Sequence, residues 1–155
     1  MPLSPVAPVG RAWIEAHIPH QGRMCLIDEV LEWSAERIRC ASDGHRAPDH
    51  PLRAHGRLGI ACGVEIAAQA MAVHGALLAA QGGARAAAGL LASVRSVRMR
   101  VPRLDDVQTR LICDAVRMAG DAALALYEFE LRAGASPLLS GRATVLLDAG
   151  RRVTA

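Results

Sequence analysis

The stretch that most restricts this chain is GIACGVEIAAQAMAVHGALLAAQ, from Gly59 to Gln81. It holds no Pro and one acidic residue, and apolar residues recur at helical spacing at Ile60, Val64, Ala67, Met71 and Leu78. Ala, Gly, Val and Leu fill the rest of each turn, so the predicted helix is apolar nearly all round. Such a helix is buried or spans a membrane, and about 20 residues suffice to span. Glu65, Gln69 and His74 fall inside it, its side chains are small, and no second such stretch occurs. The expectation is a central helix wrapped by the rest of the chain, with no membrane partner.

Glu65 and Gln69 are one turn apart and project from the same side. A carboxyl group in apolar surroundings holds its proton to higher pH, because burial disfavours the charge. It can then serve as a general acid near neutrality. A buried Glu satisfied by Gln69 or a backbone group is an equally good reading of these two residues. His74 falls on the opposite side of the helix and reads as a core or interface residue.

At 155 residues the chain has room for a single core. Residues 1–10 are Pro-rich and predict a loose arm, leaving 11–150 as one domain. All the basic residues are Arg, and a net charge of +3 with only 3% aromatic residues argues against a nucleic-acid partner. The four Cys are scattered with no CxxC, which argues against zinc and fits reduced thiols. MPLSPVAPVG lacks a basic segment and an apolar run, so a cytoplasmic location is expected.

The rest of the chain reads as strands. Met24–Trp33 and Arg37–Ser42 form a hairpin, followed by a long polar loop, 43–58, holding His45, His50 and His55. After the helix and its Gly82–Gly83 stop come Leu90–Val101, Val107–Met118, Ala122–Arg132 and Leu138–Leu147. This predicts an α+β layout, one buried helix with an antiparallel meander of about five to six strands. Arg95, Arg98, Arg100 and Arg103 put positive charge on one strand and its turn, an ordinary solvated face or a rim attractive to an acidic protein.

Two segments carry a family resemblance. IPHQGRMCLIDEV, residues 18–30, is similar to the LPHRYPFLLVDRV-type opening of the hotdog-fold 3-hydroxyacyl-acyl-carrier-protein dehydratases. GVEIAAQAMA, residues 63–72, resembles that family's helix motif, in which an acid and a Gln sit four apart. His50-Pro51-Leu52 resembles the His-Pro segment before the helix. Gly22 with Met24, and Gly63-Val64-Glu65, resemble the branch associated with aryl-polyene and related pigment clusters.

The resemblance implies a helix wrapped by a sheet, paired as a homodimer or with another hotdog subunit. It implies a tunnel that takes an acyl chain on the phosphopantetheine arm of an acyl-carrier protein, with no metal and no other cofactor. The implied reaction is loss of water from a 3-hydroxyacyl thioester to give the trans-2-enoyl thioester. Glu65 is then the acid or water-holding residue, His50 the base, and Gln69 the residue that orients Glu65. Amides near Gly59 and Gly63 receive the thioester oxygen, and His55 and His20 support the substrate. The family's GHFPGHP turn is broken here, and Ala54-His55-Gly56-Arg57 replaces its Pro-Gly. That departure keeps two alternatives open: a degenerate subunit that supports a catalytic partner, and an acyl thioesterase on the same fold.

Overall fold

A computed structural model describes residues 8–86 and 89–147. Its elements are β1 (Val9–Gly10), α1 (Arg11–His17), β2 (Glu29–Trp33), β3 (Arg37–Ser42), α2 (Gly63–Gln81), β4 (Leu90–Met99), β5 (Leu111–Gly120), β6 (Leu124–Ala133) and β7 (Ser136–Leu146). The strands form one antiparallel sheet in the order β1-β2-β3-β5-β6-β7-β4, which curls around α2.

The long apolar stretch is the central helix. A 3₁₀ turn, Ile60–Cys62, leads into α2, and the helix ends where Gly82 and the left-handed Gly83 (φ 74°) close it. Together, Ile60–Gln81 is long and apolar enough to cross a membrane, yet most of it is buried by this chain's own sheet. At its start the backbone comes close to the sheet. A Cβ on Gly63 would lie 2.7 Å from Leu139 Cδ2 and 2.9 Å from Leu131 Cδ2, two fully buried side chains.

Because α2 is apolar on nearly every side, hydrophobicity alone says little about its rotation about its own axis. Two buried polar side chains supply that information. Gln69 reaches the segment 24–26. On another side, His74 Nε2–H donates to Ser34 O in the β2–β3 turn at 2.8 Å, and the Tyr127 hydroxyl on β6 donates to His74 Nδ1 at 2.8 Å. Ser34 O can only accept, which settles the tautomer. Burial lowers the His74 pKa, and burial pushes the Tyr127 phenol up to about 12.

The sheet differs from expectation in three places. Val9–Gly10, read from sequence as part of a loose arm, pairs antiparallel with Val30 and Glu29 and makes a seventh strand; residues 1–7 of that arm lie outside the described residues. β2 begins at Glu29 rather than Met24, because the backbone of 24–26 is held by α2 and not by a neighbouring strand. β5 begins at Leu111 rather than Val107, whose N–H closes a turn onto Leu104 O and whose carbonyl accepts from His45.

The polar loop 43–58 is clamped down. Asp105, after β4, accepts the Leu58 N–H at 2.9 Å and pairs with both Arg103 and Arg53. The Arg103 contact holds the Asp105 carboxyl well below the usual carboxylate range.

His74 generates a testable pH effect. Its folded pKa lies below the unfolded value of about 6.5. The unfolded chain therefore binds more protons, and stability is lost as pH falls from about 6.5 toward the folded pKa. The shift at His50, lowered by burial first and then by Arg53, adds in the same direction. Denaturant midpoints measured from pH 7.5 to 5 should fall for the native chain. The His74→Gln variant should start lower by about 1–3 kcal/mol and show a shallower slope.

Candidate active site

The opening motif and the helix motif meet through one side chain. Gln69 is fully buried. Its Oε1 accepts the Leu26 N–H at 2.7 Å, and its Nε2 donates to Met24 O at 2.8 Å and to Glu65 Oε1 at 3.1 Å. A helical amide thus stands in for a strand partner to 24–26 and orients the carboxylate one turn away. Ser42 Oγ donates to Leu26 O at 2.6 Å, so that carbonyl is also satisfied.

His20 is brought to the same carboxylate. Its Nε2 lies 3.1 Å from Glu65 Oε1. The loop that carries it is tied at several points. Gln21 Nε2 donates to Ile18 O and Glu15 O, the Cys25 N–H closes a turn on the left-handed Gly22, and Arg11 bridges Glu15, Asp28 and Gly22 O. Asp28 also accepts the Asp43 N–H, joining this loop to the start of 43–58. Within one chain Glu65 is not enclosed by apolar groups: its side chain is 35% exposed and faces His20 and Gln69. That replaces the apolar burial expected from the sequence.

His20 and Glu65 stand at one end of a groove of about 840 Å³. One wall is the helix stripe Glu65, Ala68, Ala72, Gly75 and Ala79, spaced so that the groove follows α2 for about 20 Å. The other wall holds Leu91, Ala125, Tyr127 and Val145 from the sheet, and Ile18 and Pro19 cover the His20 end. Arg85 donates to Ala16 O at 2.8 Å and ties the connector after α2 to the end of α1. The middle of the groove is apolar; Arg117 and Asp121 stand at its sheet end.

The three histidines of loop 43–58 have separate fates. His45 is buried, with Nε2–H donating to Val107 O at 2.9 Å. His55 is exposed and takes a left-handed φ of 52° beside Gly56, the turn that lets Ala54 and Arg57 pair. His50 is nearly buried, and its Nδ1 accepts the Leu52 N–H at 3.1 Å, which leaves Nε2 as the N–H of the neutral ring. Neither His50 nor His55 makes a hydrogen bond or ion pair with Glu65 inside one chain; His20 does.

The glycines expected to receive a thioester oxygen serve two different ends. The Gly63 N–H is bonded to Ile60 O and Ala61 O, and its missing Cβ admits Leu131 and Leu139 rather than a ligand. Gly59 has open space where a Cβ would be and pairs with Arg103 through a β-bridge. Cys62 Sγ donates to Leu52 O, and its thiol is pushed up by burial, as for a packing residue. Among the described residues there is no group of three or more His, Cys, Asp or Glu side chains arranged to hold a metal.

His20 was legible in the sequence as part of the opening motif, but its partner was not. Residues 20 and 65 are joined only through the fold.

A family model described as ApeP-like, ApeP dehydratase, matches residues 12–151. No curated protein sequence matches. Among solved structures, the dehydratase heterocomplex ApeI:P from Xenorhabdus doucetiae superposes with a TM-score of 0.82 at 22% identity, over 91% of this chain and 94% of that one. A mutant of thioesterase PA1618 from Pseudomonas aeruginosa gives 0.56 at 14% identity, over 78% and 80%. Cj0977, a sigma28-regulated virulence protein from Campylobacter jejuni, gives 0.60 at 10%, over 89% of each chain. At these identities the likeness carries the fold, the hotdog expected from the two motifs.

The bridging role of Gln69 predicts a stability defect. Gln69→Leu leaves the buried Leu26 N–H and the part-buried Met24 carbonyl without their Gln69 partner and should lower unfolding free energy by about 1–3 kcal/mol. Urea denaturation reads it directly, and a change below about 0.5 kcal/mol would contradict the bridge.

Proposed function

The chain belongs to the ApeP-like dehydratase family, and on that premise we propose that it removes water from a 3-hydroxyacyl thioester delivered by an acyl-carrier protein. The observation that carries this reading is the linked set His20–Glu65–Gln69 at the end of a long apolar groove. The acyl chain lies along the helix stripe, and the carbon atoms beside the thioester lie at His20 and Glu65.

The proton movements fit two groups in contact. Neutral His20 takes the proton from the carbon next to the thioester carbonyl. As the carbon–carbon double bond forms, the carbon–oxygen bond breaks, and Glu65 gives its proton to the departing hydroxyl, which leaves as water. His20 is then an imidazolium and Glu65 a carboxylate. The 3.1 Å contact between them returns the proton and restores the starting state. Gln69 donates to Glu65 Oε1 and fixes the direction of the carboxyl group. The N-terminal turn of the helix favours the negative charge that develops on the thioester oxygen. The reading calls for no metal or cofactor beyond the phosphopantetheine that carries the substrate, and it suits a cytoplasmic setting in polyene or fatty-acid-like chain synthesis.

A second reading is favoured by one observation. His50 makes no hydrogen bond or ion pair with Glu65 inside the chain, and the ring nitrogen free for a ligand is a donor rather than a base. If the base must come from loop 43–58, it comes across a subunit interface, and this chain supports a partner hotdog subunit.

The decisive assay incubates the purified chain, alone, with a 3-hydroxyacyl carrier protein and follows the product by mass. Loss of water is expected. Glu65→Gln should slow it by about 10²–10⁴-fold, His20→Asn by a similar factor, and His50→Asn by no more than about threefold. Activity that appears only with a second hotdog subunit supports the second reading. Release of free acid from a simple acyl thioester moves the chain to thioester hydrolysis.

A further inference from the structure

The groove along α2 is apolar in its middle and charged at the end away from Glu65. Arg117 is the residue there that calls for a reason. It lies on β5 opposite Tyr127 in the ladder, so the two share the inner face of the sheet. Its charge acts on His74, which stands nine residues, or about 14 Å, along the helix from Glu65. Inward-pointing charge can protect a sheet edge, but β5 lies between β3 and β6. Among the described residues the Arg117 guanidinium makes one hydrogen bond, a long one of 3.4 Å to Asp121 O, and no ion pair. Arg11, Arg23, Arg39, Arg110, Arg132 and Arg142 each pair with a carboxylate of the same chain.

The neighbours of Arg117 have other tasks. Asp121 Oδ1 accepts the Ala123 and Leu124 N–H at 2.7 and 3.0 Å and holds the β5–β6 turn. Tyr127 offers the groove its ring, because its hydroxyl is bonded to His74. Arg85 follows the C-terminus of α2, whose partial negative charge accounts for a cation there. That reason does not extend to Arg117, which is on a strand. A guest ending in a methyl group would set hydrocarbon against this half-buried guanidinium and strip it of water, which is costly.

We propose that the guest of the groove ends in a carboxylate, remote from the thioester, and that Arg117 receives it, two N–H groups to two oxygens, with Arg85 adding positive potential. The proposal deepens the function proposed above by naming the class of chain, and rests on it for the direction in which the chain lies. Arg117 is then a specificity residue, apart from the proton transfers at His20 and Glu65.

The probes are amide analogues of acyl pantetheine, with nitrogen in place of sulfur and no 3-hydroxyl, so neither loss of water nor thioester hydrolysis intervenes. Chains ending in methyl, hydroxymethyl or carboxylate are compared at several lengths by titration calorimetry. On the native chain the carboxylate should bind at least about tenfold tighter than the methyl end, but only in chains long enough to reach Arg117. In shorter chains the order should invert, because the charge is then stranded among Ala68, Ala72 and Gly75. Arg117→Met should abolish the long-chain advantage and leave methyl-ended probes within about threefold of their native affinity, while Arg117→Lys should keep part of it.

A carboxylate advantage equal at every length would mark general attraction to a basic surface and overturn the proposal. So would a hydroxymethyl end that binds as well as the carboxylate, an advantage that survives Arg117→Met, or no binding by any probe. The length dependence is read on the native chain and stands whether or not the variants fold. The two proposals fail separately. Water loss from methyl-ended substrates with no carboxylate preference overturns this one alone. A length-dependent carboxylate preference without water loss overturns the dehydration alone.

Discussion

The rotation of α2 about its own axis is the constraint on which the rest of the structure depends. Burial of an all-round apolar helix stabilises almost any rotation equally. Gln69 and His74 break that degeneracy, because each would be left unsatisfied, at a cost of kilocalories, in any other orientation. Once both are bonded, Glu65 has one direction to face. The groove along Ala68, Ala72, Gly75 and Ala79 follows from the same choice. The interactions that specify the fold therefore also place the candidate chemistry.

Most of the architecture was legible in the residues. The central helix and its Gly82–Gly83 stop, the strand Arg37–Ser42 and the presence of four strands after the helix follow from period, turn residues and apolar alternation. What was not legible shares one physical cause: the partner lies far away in sequence. Met24–Leu26 has the composition of a strand, yet its backbone bonds to a helical side chain, so no local pattern marks the difference. Val9–Gly10 is too short for periodicity and is a strand only because Val30 and Glu29 lie beside it.

The candidate site was legible in part for the same reason. Glu65 and Gln69 are neighbours on a helix, and their hydrogen bond follows from spacing alone. The meeting of His20 with Glu65 depends on a loop held by Arg11, Asp28 and Gln21. The histidine-rich loop 43–58 drew attention by composition. Its environment then separates His45, His50 and His55 into a buried donor, a ring turned toward its own backbone and a turn residue. Counting histidines near a helix in sequence cannot anticipate that division, because it is imposed by Val107, by Leu52 and by the Asp105 clamp.

The groove owes its depth to what the helix lacks. Its floor is a run of alanines and a glycine, so the space beside α2 is the sum of absent methylene groups rather than a gap between separately built walls. Side-chain volume along a single stripe then acts as a ruler. Growth of one residue, Ala79 before Ala72, would shorten the room from the far end while leaving Glu65, Gln69 and His20 undisturbed. Under the proposed function, selectivity for the length of a guest and competence to transform it would be carried by different turns of one helix. They can drift independently in a chain that must keep both.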